Sequence, residues 1–421
     1  LTFHILLQLI SWGILIPIGS ILGINRSSLH PPLQLITTLL ISLPAISLPH
    51  LFPSESYSSN AHSKLSTPLT LSLIGQLLTG IFLKTHTLER TTLRLGVRVV
   101  HGVFGRCFPI LSWTQFILGG IAALGFCFGS RTGQCLAHFI MGSAFIGYGL
   151  TLMLMIQYGQ SWLRRHKTSQ DHLDCWVITV WGVVNTFTEH GVFFSAGWKW
   201  SHKDMQHTAL GAFWALTGLL GIYQSRNARR SIVPGLIVMI SGWVFQSHQQ
   251  SIPFSTKVHG SFGVTLMAAG LIKIIEVCWD GSESSLSTKR QRRSNGIREM
   301  NAFDHITPLL LVIAGTMFMS STEEQILLIL KINMDHSTYL LCQVSVGSMI
   351  YLYFNLMSSL YRSTRPLDDQ DREVDQNLSY SKQQKEEEND DDDDEEEEEG
   401  KKFEIRPGAG YQPIGSNLIN S

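Results

Sequence analysis

The sequence contains few charged residues for its length. They make up 15% of the chain, whereas soluble domains average about a quarter. Cysteines are also few, and the six present form no CxxC or zinc-finger spacing, which excludes a structural zinc cluster of that kind. The sequence likewise lacks a phosphate-binding loop and a nucleophile elbow. Instead, it contains recurring runs of about twenty apolar residues, the length with which a helix crosses about 30 Å of hydrocarbon.

These runs predict an all-α integral membrane fold with about eleven transmembrane helices. The third run has Pro68 near its start, and the tenth has Glu323 and Glu324 near its end. The sequence begins at Leu1 rather than Met, as in a mature form or an incomplete sequence. The predicted spans are residues 3–24, 32–51, 66–84, 100–128, 134–158, 173–194, 206–224, 232–249, 258–278, 306–330 and 337–361.

Loop charge predicts the orientation of these helices. With eleven crossings, the loops on the C-terminal side contain eighteen Lys and Arg residues and the opposite loops contain six. Because positive residues concentrate in cytosolic loops, we expect an exoplasmic N-terminus and a cytosolic C-terminus. The expected location is a secretory-pathway, vacuolar or plasma membrane.

Two polar segments are predicted to lie in the cytosol, the loop 280–304 and the tail 362–421. Thirteen of the fourteen residues 386–399 are acidic, and without them the formal net charge changes from −1 to +12. The tail has too few apolar residues to fold and is predicted to be disordered, either as solvated charge or as a docking segment for a cytosolic protein partner. The basic loops indicate membrane lipids as partners, and no nucleic acid is expected.

Four histidines stand at or near the beginnings of the first four predicted helices. Since successive helices run in opposite directions, His4 and His62 are expected on the exoplasmic side, and His30 and His101 on the cytosolic side. Ionisable groups at membrane depth are costly and tend to be functional. One imidazole pair in each leaflet is the ligand set for two b-type haems and for an electron path across the membrane.

The stretches around these histidines resemble the core helices of cytochrome b561-type proteins. FHILLQLISWGILIPIG combines a His with Trp-Gly and Pro-x-Gly, and LHPPLQLITTLLI has a His four residues before a Gln. NAHSKLSTPLTLSLIGQLLTG and VHGVFGRCFPILSWTQFILGG each have a His followed by Gln-x-x-x-Gly. The resemblance implies a four-helix membrane domain over residues 1–128 and a cytosolic electron donor such as ascorbate. It also implies haem b ligation by His4 with His62 and by His30 with His101.

Other interpretations of these histidines stay open. His30 precedes two prolines and His62 precedes Pro68, so both are candidates for positions outside the core. Neighbouring His50 and His86 are alternative ligands for the exoplasmic and the cytosolic pair, respectively. All four histidines would otherwise be interfacial residues at helix ends.

The second half resembles the C-terminal domain of the fungal Ytp-type transmembrane proteins. The resemblance rests on GQCLAHFIMGSAFIGYG, CWVITVWGVVNTFTEH, WSHKDMQHTALGAFWALTGLLGIYQSR and STKVHGSFGVTLMAAGLIKIIE. It implies a multi-helix membrane domain over residues 129–361 and an N-terminal region like that of cytochrome b561. The family has no settled activity, so the resemblance assigns no reaction.

Histidines of the second half are predicted to form one exoplasmic layer. They stand at the starts of odd-numbered helices and the ends of even-numbered ones, with Glu189 and Asp204 at the same depth. Imidazoles and carboxylates at one depth are the ligands of Zn, Cu or Fe sites; interfacial caps or a pH sensor are the alternatives. The candidate ligands are His138, His190, His207, His248, His259 and Glu189.

Three smaller features of the second half also carry expectations. Cys127 and Cys135 flank a short exoplasmic loop and would form a disulfide in an oxidising compartment, or else stay as free thiols. Lys273 and Glu276 are interpreted as an ion pair that extends toward the interface. Glycine-rich runs such as GSAFIGYG are interpreted as close helix contacts.

Three function hypotheses follow from these patterns. The first is a haem-b transmembrane electron carrier, which as an enzyme would be an oxidoreductase, coupled to the exoplasmic histidine layer. The second is a metal-dependent membrane enzyme or metal-handling protein without haem. The third is a structural or scaffolding membrane protein.

Overall fold

The computed structural model of the chain describes residues 1–51, 59–188, 202–247, 250–282 and 300–366. It confirms the prediction of an all-helical fold, and the described part of each predicted span overlaps a helix or a helix pair. The tail beyond residue 366 and most of the loop 280–304 lie outside the described residues. The helices are α1 (Thr2–Ile24), α2 (His30–Pro49), α3 (Ala61–Lys84), α4 (Thr92–Leu124), α5 (Thr132–Arg165), α6 (Gln170–Thr188), α7 (His202–Gln224), α8 (Val233–Ser247), α9 (Pro253–Ser282), α10 (Ile306–Met319), α11 (Glu323–Lys331) and α12 (His336–Ser363).

By length and composition, seven helices of the described chain can cross a membrane. The tenth predicted span is not continuous: α10, with the short turn that precedes it, and α11 meet at 78°, and counting them as one broken span gives eight. Helix α8 has 15 residues in the described part of the chain, and α6 begins with Gln170, Asp171 and His172. The figure of eleven crossings and the orientation derived from it stay predictions.

Local sequence explains why two of the predicted helices begin earlier than expected. Asn60 forms a capping box with Ser63, each side chain bonding the other residue's backbone N–H, so α3 begins at Ala61 and continues through Pro68. Helix α2 begins at His30, with prolines in its first turn, where their missing N–H groups would have no helical partner. Both His30 and His62 therefore lie inside helices.

The helices α1 to α4 pack around a small apolar core. It consists of Trp12 and Ile16 from α1, Leu69 and Leu73 from α3, and Phe108 from α4. Residues Ser11–Leu15 of α1 and Thr37–Ser42 of α2 are π-helical, and the hydroxyl groups of Ser11 and Ser42 are hydrogen-bonded. Such segments disturb the regular backbone ladder and occur often at functional sites.

The second half is built from antiparallel helix pairs that touch through glycines. Helices α5 and α10 approach at Gly142 and Gly315, α6 and α7 at Gly182 and Gly211, and α8 and α9 at Gly242 and Gly263. In each pair a Cβ on one glycine would lie 2.5–2.9 Å from a backbone oxygen of the partner helix. Small residues permit such approaches, which drive helix association in membranes. The prediction that GSAFIGYG forms a close helix contact is thus confirmed at Gly142.

The last helix returns to the first. The Tyr353 hydroxyl of α12 donates to the carbonyl of Gly13, 2.7 Å away, inside the π-helical part of α1. Asn25, just after α1, donates to the carbonyl of Tyr361 and to the Thr364 hydroxyl. The described residues from 1 to 366 form one compact unit.

Cys127 and Cys135 form a disulfide across the turn between α4 and α5, with Cα atoms 5.2 Å apart. Of the two alternatives expected from the sequence, a disulfide or two free thiols, the structure shows the disulfide. Beside it, Arg131 pairs with Glu323 at the start of α11, with 3.2 Å between Nη2 and Oε1. Disulfides persist in oxidising compartments, and the exoplasmic position of this turn stays a prediction.

Replacing Gly142 tests the helix contact between α5 and α10. A Cβ there would lie 2.6 Å from the Gly315 carbonyl oxygen, so we expect Gly142→Ala to lower the free energy of unfolding by about 1–3 kcal/mol. A Cβ at Gly147 would have no neighbouring element within 4 Å. Gly147→Ala should therefore be neutral or stabilising. Thermal unfolding in detergent compares the two, and equal melting temperatures would contradict the contact.

The disulfide can be tested on protein purified from membranes with free thiols blocked. Peptide mass spectrometry should find Cys127 and Cys135 joined, with Cys107 and Cys342 alkylated. Recovery of alkylated Cys127 and Cys135 would argue against both the bond and the exoplasmic position of the turn.

Candidate functional site

His4 of α1 and His62 of α3 meet at one end of the four-helix group. Their ring centroids are 6.3 Å apart and the ring planes are nearly perpendicular, at 89°. Nδ1 of His4 lies 2.8 Å from the Ala45 carbonyl oxygen, and Nδ1 of His62 lies 3.2 Å from that of Gln115. A carbonyl oxygen only accepts, so both Nδ1 atoms carry the hydrogen.

His30 of α2 and His101 of α4 form a second pair of the same kind. Their ring centroids are 6.2 Å apart with 74° between the planes. Nδ1 of His30 donates to the Gly19 carbonyl, 2.7 Å away. Nδ1 of His101 lies 3.1 Å from the Thr79 hydroxyl, which gives its own hydrogen to the Gly75 carbonyl and therefore accepts from His101.

All four imidazoles thus have the hydrogen on Nδ1 and leave Nε2 as the basic nitrogen. Metal ligation through Nε2 requires this tautomer, in which a neighbouring acceptor holds the Nδ1 hydrogen. Two imidazoles that bind one metal at about 2 Å through Nε2 would have centroids about 6 Å apart. The residues present fit bis-imidazole ligation at both ends of the bundle.

The Gln-x-x-x-Gly motifs of α3 and α4 hold the histidine of the opposite helix. Gln115 donates through Nε2 to the His62 carbonyl at 3.0 Å, and a Cβ on Gly119 would lie 3.1 Å from the His62 ring. In the other direction, Gln76 donates to the His101 carbonyl at 3.2 Å, and Gly80 adjoins the His101 ring. The spacing of His, Gln and Gly is identical in both helices, so the two antiparallel helices position each other's histidines reciprocally.

Helices α1 and α2 show a similar reciprocity. His4 donates to Ala45, fifteen residues after His30, and His30 donates to Gly19, fifteen residues after His4. A Cβ at Gly23 would lie 2.8 Å from the His30 ring. Each of these helices therefore supplies one histidine and the carbonyl that orients the other.

An aromatic pair lies between the two histidine pairs. Trp12 follows His4 by eight residues and Phe108 follows His101 by seven, which is about 10–12 Å along each helix. The two rings are 5.5 Å apart and both are 5% exposed. A buried aromatic contact thus lies midway between the ends of the bundle.

The alternative ligands do not join these pairs in the described structure. His86 is exposed, and its Nδ1 lies 2.6 Å from Oε1 of Glu89. The side chain of His50 lies outside the described residues. The structure therefore brings together the four histidines named from the sequence, and their role as haem ligands stays a prediction.

The candidate metal ligands of the second half are only partly described. Glu189, His190 and His248 lie outside the described residues, and in the described part of the chain no three His, Cys, Asp or Glu side chains are grouped as metal ligands. His138 and His259 do meet, with 3.5 Å between their Nε2 atoms, and both stand against Phe318. His207 is half-buried near His138.

The His138 and His259 rings are oriented by their own helices. Nδ1 of His138 donates to the Gln134 carbonyl at 2.7 Å, and Nδ1 of His259 lies 2.9 Å from the Ser255 carbonyl oxygen. In their neutral forms both Nε2 atoms then present lone pairs to each other. The pair is 8% and 5% exposed, so a cation between the two nitrogens would compensate the repulsion.

The structure corrects the interpretation of Lys273 and Glu276. Lys273 does not extend to the interface but is 4% exposed. It pairs with Glu276 at 3.3 Å and with Asp171 at 3.7 Å. The sequence signal that was missed is the cluster Asp171 and Asp174, two acidic residues three apart at the start of an apolar segment.

Comparison with known proteins identifies two matched regions. Residues 111–362 match the family described as Protein YTP1-like, C-terminal, and residues 1–86 match a family described as a domain of unknown function, DUF2427. The division of the chain at residue 128 stays a prediction. No solved structure matches the chain.

Three curated fungal proteins are similar to the chain. Protein YTP1 of Saccharomyces cerevisiae is 38% identical over 283 residues, 65% of this chain and 58% of that protein. An uncharacterized membrane protein of Schizosaccharomyces pombe is 23% identical, over 60% of this chain and 56% of its own length. Another uncharacterized membrane protein of S. cerevisiae is 22% identical, over 47% and 38%, respectively. The chain thus spans less than two thirds of each relative's length.

Proposed function

The chain belongs to the YTP1-like family of multi-pass membrane proteins, and we propose that it is a transmembrane electron carrier that binds two b-type haems. The observation that supports this proposal is the pair of bis-histidine arrangements at the two ends of helices α1 to α4. Their centroid separations of 6.3 and 6.2 Å suit one metal between each pair. The hydrogen on every Nδ1 suits ligation through Nε2.

In this proposal each part of the bundle has a defined task. His4 with His62, and His30 with His101, would hold the two haems, which supply reversible one-electron chemistry when bound. The carbonyls of Ala45, Gly19 and Gln115 and the Thr79 hydroxyl fix the ring orientations. The glycines Gly23, Gly80 and Gly119 leave room for the rings. Trp12 and Phe108 fill the space between the sites and exclude water from it.

Charge at the α3–α4 turn supports an anionic electron donor at the His30–His101 end. Lys84, Arg90 and Arg98 are exposed there. Arg94 is buried instead and donates to the carbonyls of Leu83 and Thr87, at 2.8 and 2.9 Å, which holds the turn together. If the predicted orientation is correct, this turn is cytosolic and a donor such as ascorbate would meet a basic surface.

The proposal predicts a reducible b-type absorption spectrum and two haems per chain in the full-length protein. His62→Leu and His101→Leu should each remove one haem, because each removes one axial ligand. His86→Leu is the matched control and should keep both, since His86 is exposed and bonds Glu89. Haem content is measured by pyridine haemochrome assay against protein concentration.

Glycine variants supply a second arm of this test. Gly119→Val should lose the same haem as His62→Leu, because the new side chain would meet the His62 ring. Gly120→Val is the control: a Cβ at Gly120 would have nothing within 4 Å, so this variant should keep both haems. Protein that folds and contains no haem would contradict the proposal.

A second candidate function is favoured by the contact of His138 with His259. Their opposed Nε2 atoms, 3.5 Å apart and buried, would bind a Zn, Cu or Fe ion, which would make the second half a metal-handling domain. His207 and the predicted ligands Glu189, His190 and His248 would complete the coordination. A shared proton is the alternative occupant of the space between the rings.

Metal analysis of the full-length protein tests this candidate. Bound metal per chain should fall by at least half in His138→Ala and in His259→Ala. It should be unchanged in His166→Ala, since that exposed ring stacks on Trp162 and follows the end of α5 opposite to His138. Metal content that is unaffected in all three variants would exclude the site, and absence of both metal and haem would leave the structural or scaffolding role.

A further inference from the structure

Five charged side chains lie together in the second half, apart from the histidine sites. They are Asp171 and Asp174 of α6, Lys273 and Glu276 of α9, and Arg230 of the segment before α8. Asp171 is 0% exposed, Lys273 4% and Asp174 5%. Ionisable groups buried at membrane depth are costly unless they are paired, and they commonly mark proton or ion sites.

Four of these side chains, two positive and two negative, are joined by ion pairs. The Asp171 carboxylate contacts Arg230 at 2.7 Å and Lys273 at 3.7 Å. Glu276 contacts the same two cations, at 3.7 and 3.3 Å. Asp171 also accepts from the backbone N–H of Ser231 at 3.1 Å. We call Asp171, Arg230, Lys273 and Glu276 the charged quartet: two positive and two negative groups, each within 4 Å of both opposite charges.

Asp174 is the fifth member, and the charged quartet does not balance it. It follows Asp171 by three residues and therefore lies on the same face of α6. Tyr148 of α5 and Gln170 contact its carboxyl group, and Lys273, Asp171 and Cys175 are the other titratable groups near it. Its Oδ2 atom, like Oδ1 of Asp171, has no hydrogen-bond partner within the described ranges, but Oδ1 of Asp171 is 3.7 Å from the Lys273 ammonium group. An ionised Asp174 would give the five groups a net charge of −1 in an apolar setting.

We propose that Asp174 is a buried proton-binding site, at which the carboxyl group holds a proton while the charged quartet stays ionised. A proton on Asp174 makes the five groups neutral. Arg230 is 35% exposed, so the cluster reaches solvent on that side, and proton exchange would follow this route. The site is independent of haem or metal in the rest of the protein.

Infrared spectroscopy of the full-length protein in detergent tests the proposal directly. At neutral pH we expect the carbonyl stretch of a protonated carboxylic acid, identified by its shift in D2O. The band should disappear in Asp174→Asn. It should persist in Asp335→Asn, which changes an exposed carboxylate at the start of α12.

Melting temperatures distinguish two states of Asp174: a protonated carboxyl group, and an ionised carboxylate that pairs with the cations of the charged quartet. Asparagine has nearly the shape of a protonated aspartate, so Asp174→Asn should change the melting temperature by no more than about 2 °C. Lys273→Met leaves the carboxylates of Asp171 and Glu276 with one cation, and it should lower the melting temperature by roughly 10 °C.

Three results would overturn the proposal. One is a protonated-acid band that survives in Asp174→Asn. Another is a loss of stability or folding in Asp174→Asn as large as in Lys273→Met. The last is the absence of the protonated-acid band together with a stability that depends on sodium. This result would mean that a metal cation neutralises an ionised Asp174.

Discussion

Hydrocarbon offers no hydrogen bonds, so every polar group at membrane depth needs a partner from the chain itself. The histidines of the first four helices meet this requirement through Nδ1, with carbonyl or hydroxyl acceptors on neighbouring helices. The same bonds decide which nitrogen remains basic. A requirement of stability thereby fixes the tautomer on which ligand binding depends. The charged quartet meets the requirement with paired charges instead.

Glycine serves two physical purposes in the two halves. In the second half it lets helix backbones touch, as at Gly142 with Gly315 and at Gly242 with Gly263. In the first half it makes room for an imidazole, as at Gly23 and Gly119. A methyl group at a glycine of the helix contacts would push two helices apart. A methyl group at Gly23 or Gly119 would also displace a histidine ring. The same residue type thus supports packing in the second half and a candidate site in the first.

The reciprocal use of helices α3 and α4 connects fold and site. Each carries a histidine near its beginning and a Gln-x-x-x-Gly motif further along, and antiparallel packing places the motif of one beside the histidine of the other. An approximate twofold relation of this kind produces two equivalent sites at opposite ends from one helix pairing. Helices α1 and α2 repeat the arrangement with Ala45 and Gly19 as the acceptors.

Sequence alone determined the membrane class and the approximate positions of the helices, and it predicted the pairs His4 with His62 and His30 with His101 while leaving His50 and His86 as alternatives. The length of an apolar run and the alternating direction of successive helices can be deduced from the sequence without knowing how the helices pack. It misplaced the starts of α2 and α3, because a capping box and a proline-rich first turn extend a helix beyond its apolar part. It also left the tenth span unbroken, although Glu323 and Glu324 stand just after the 78° bend, because charges near the end of an apolar run do not show whether the helix bends or ends there. Only the tertiary structure decided that Lys273 is buried among carboxylates and that His138 faces His259, because side chains distant in sequence acquire their partners only when the helices pack.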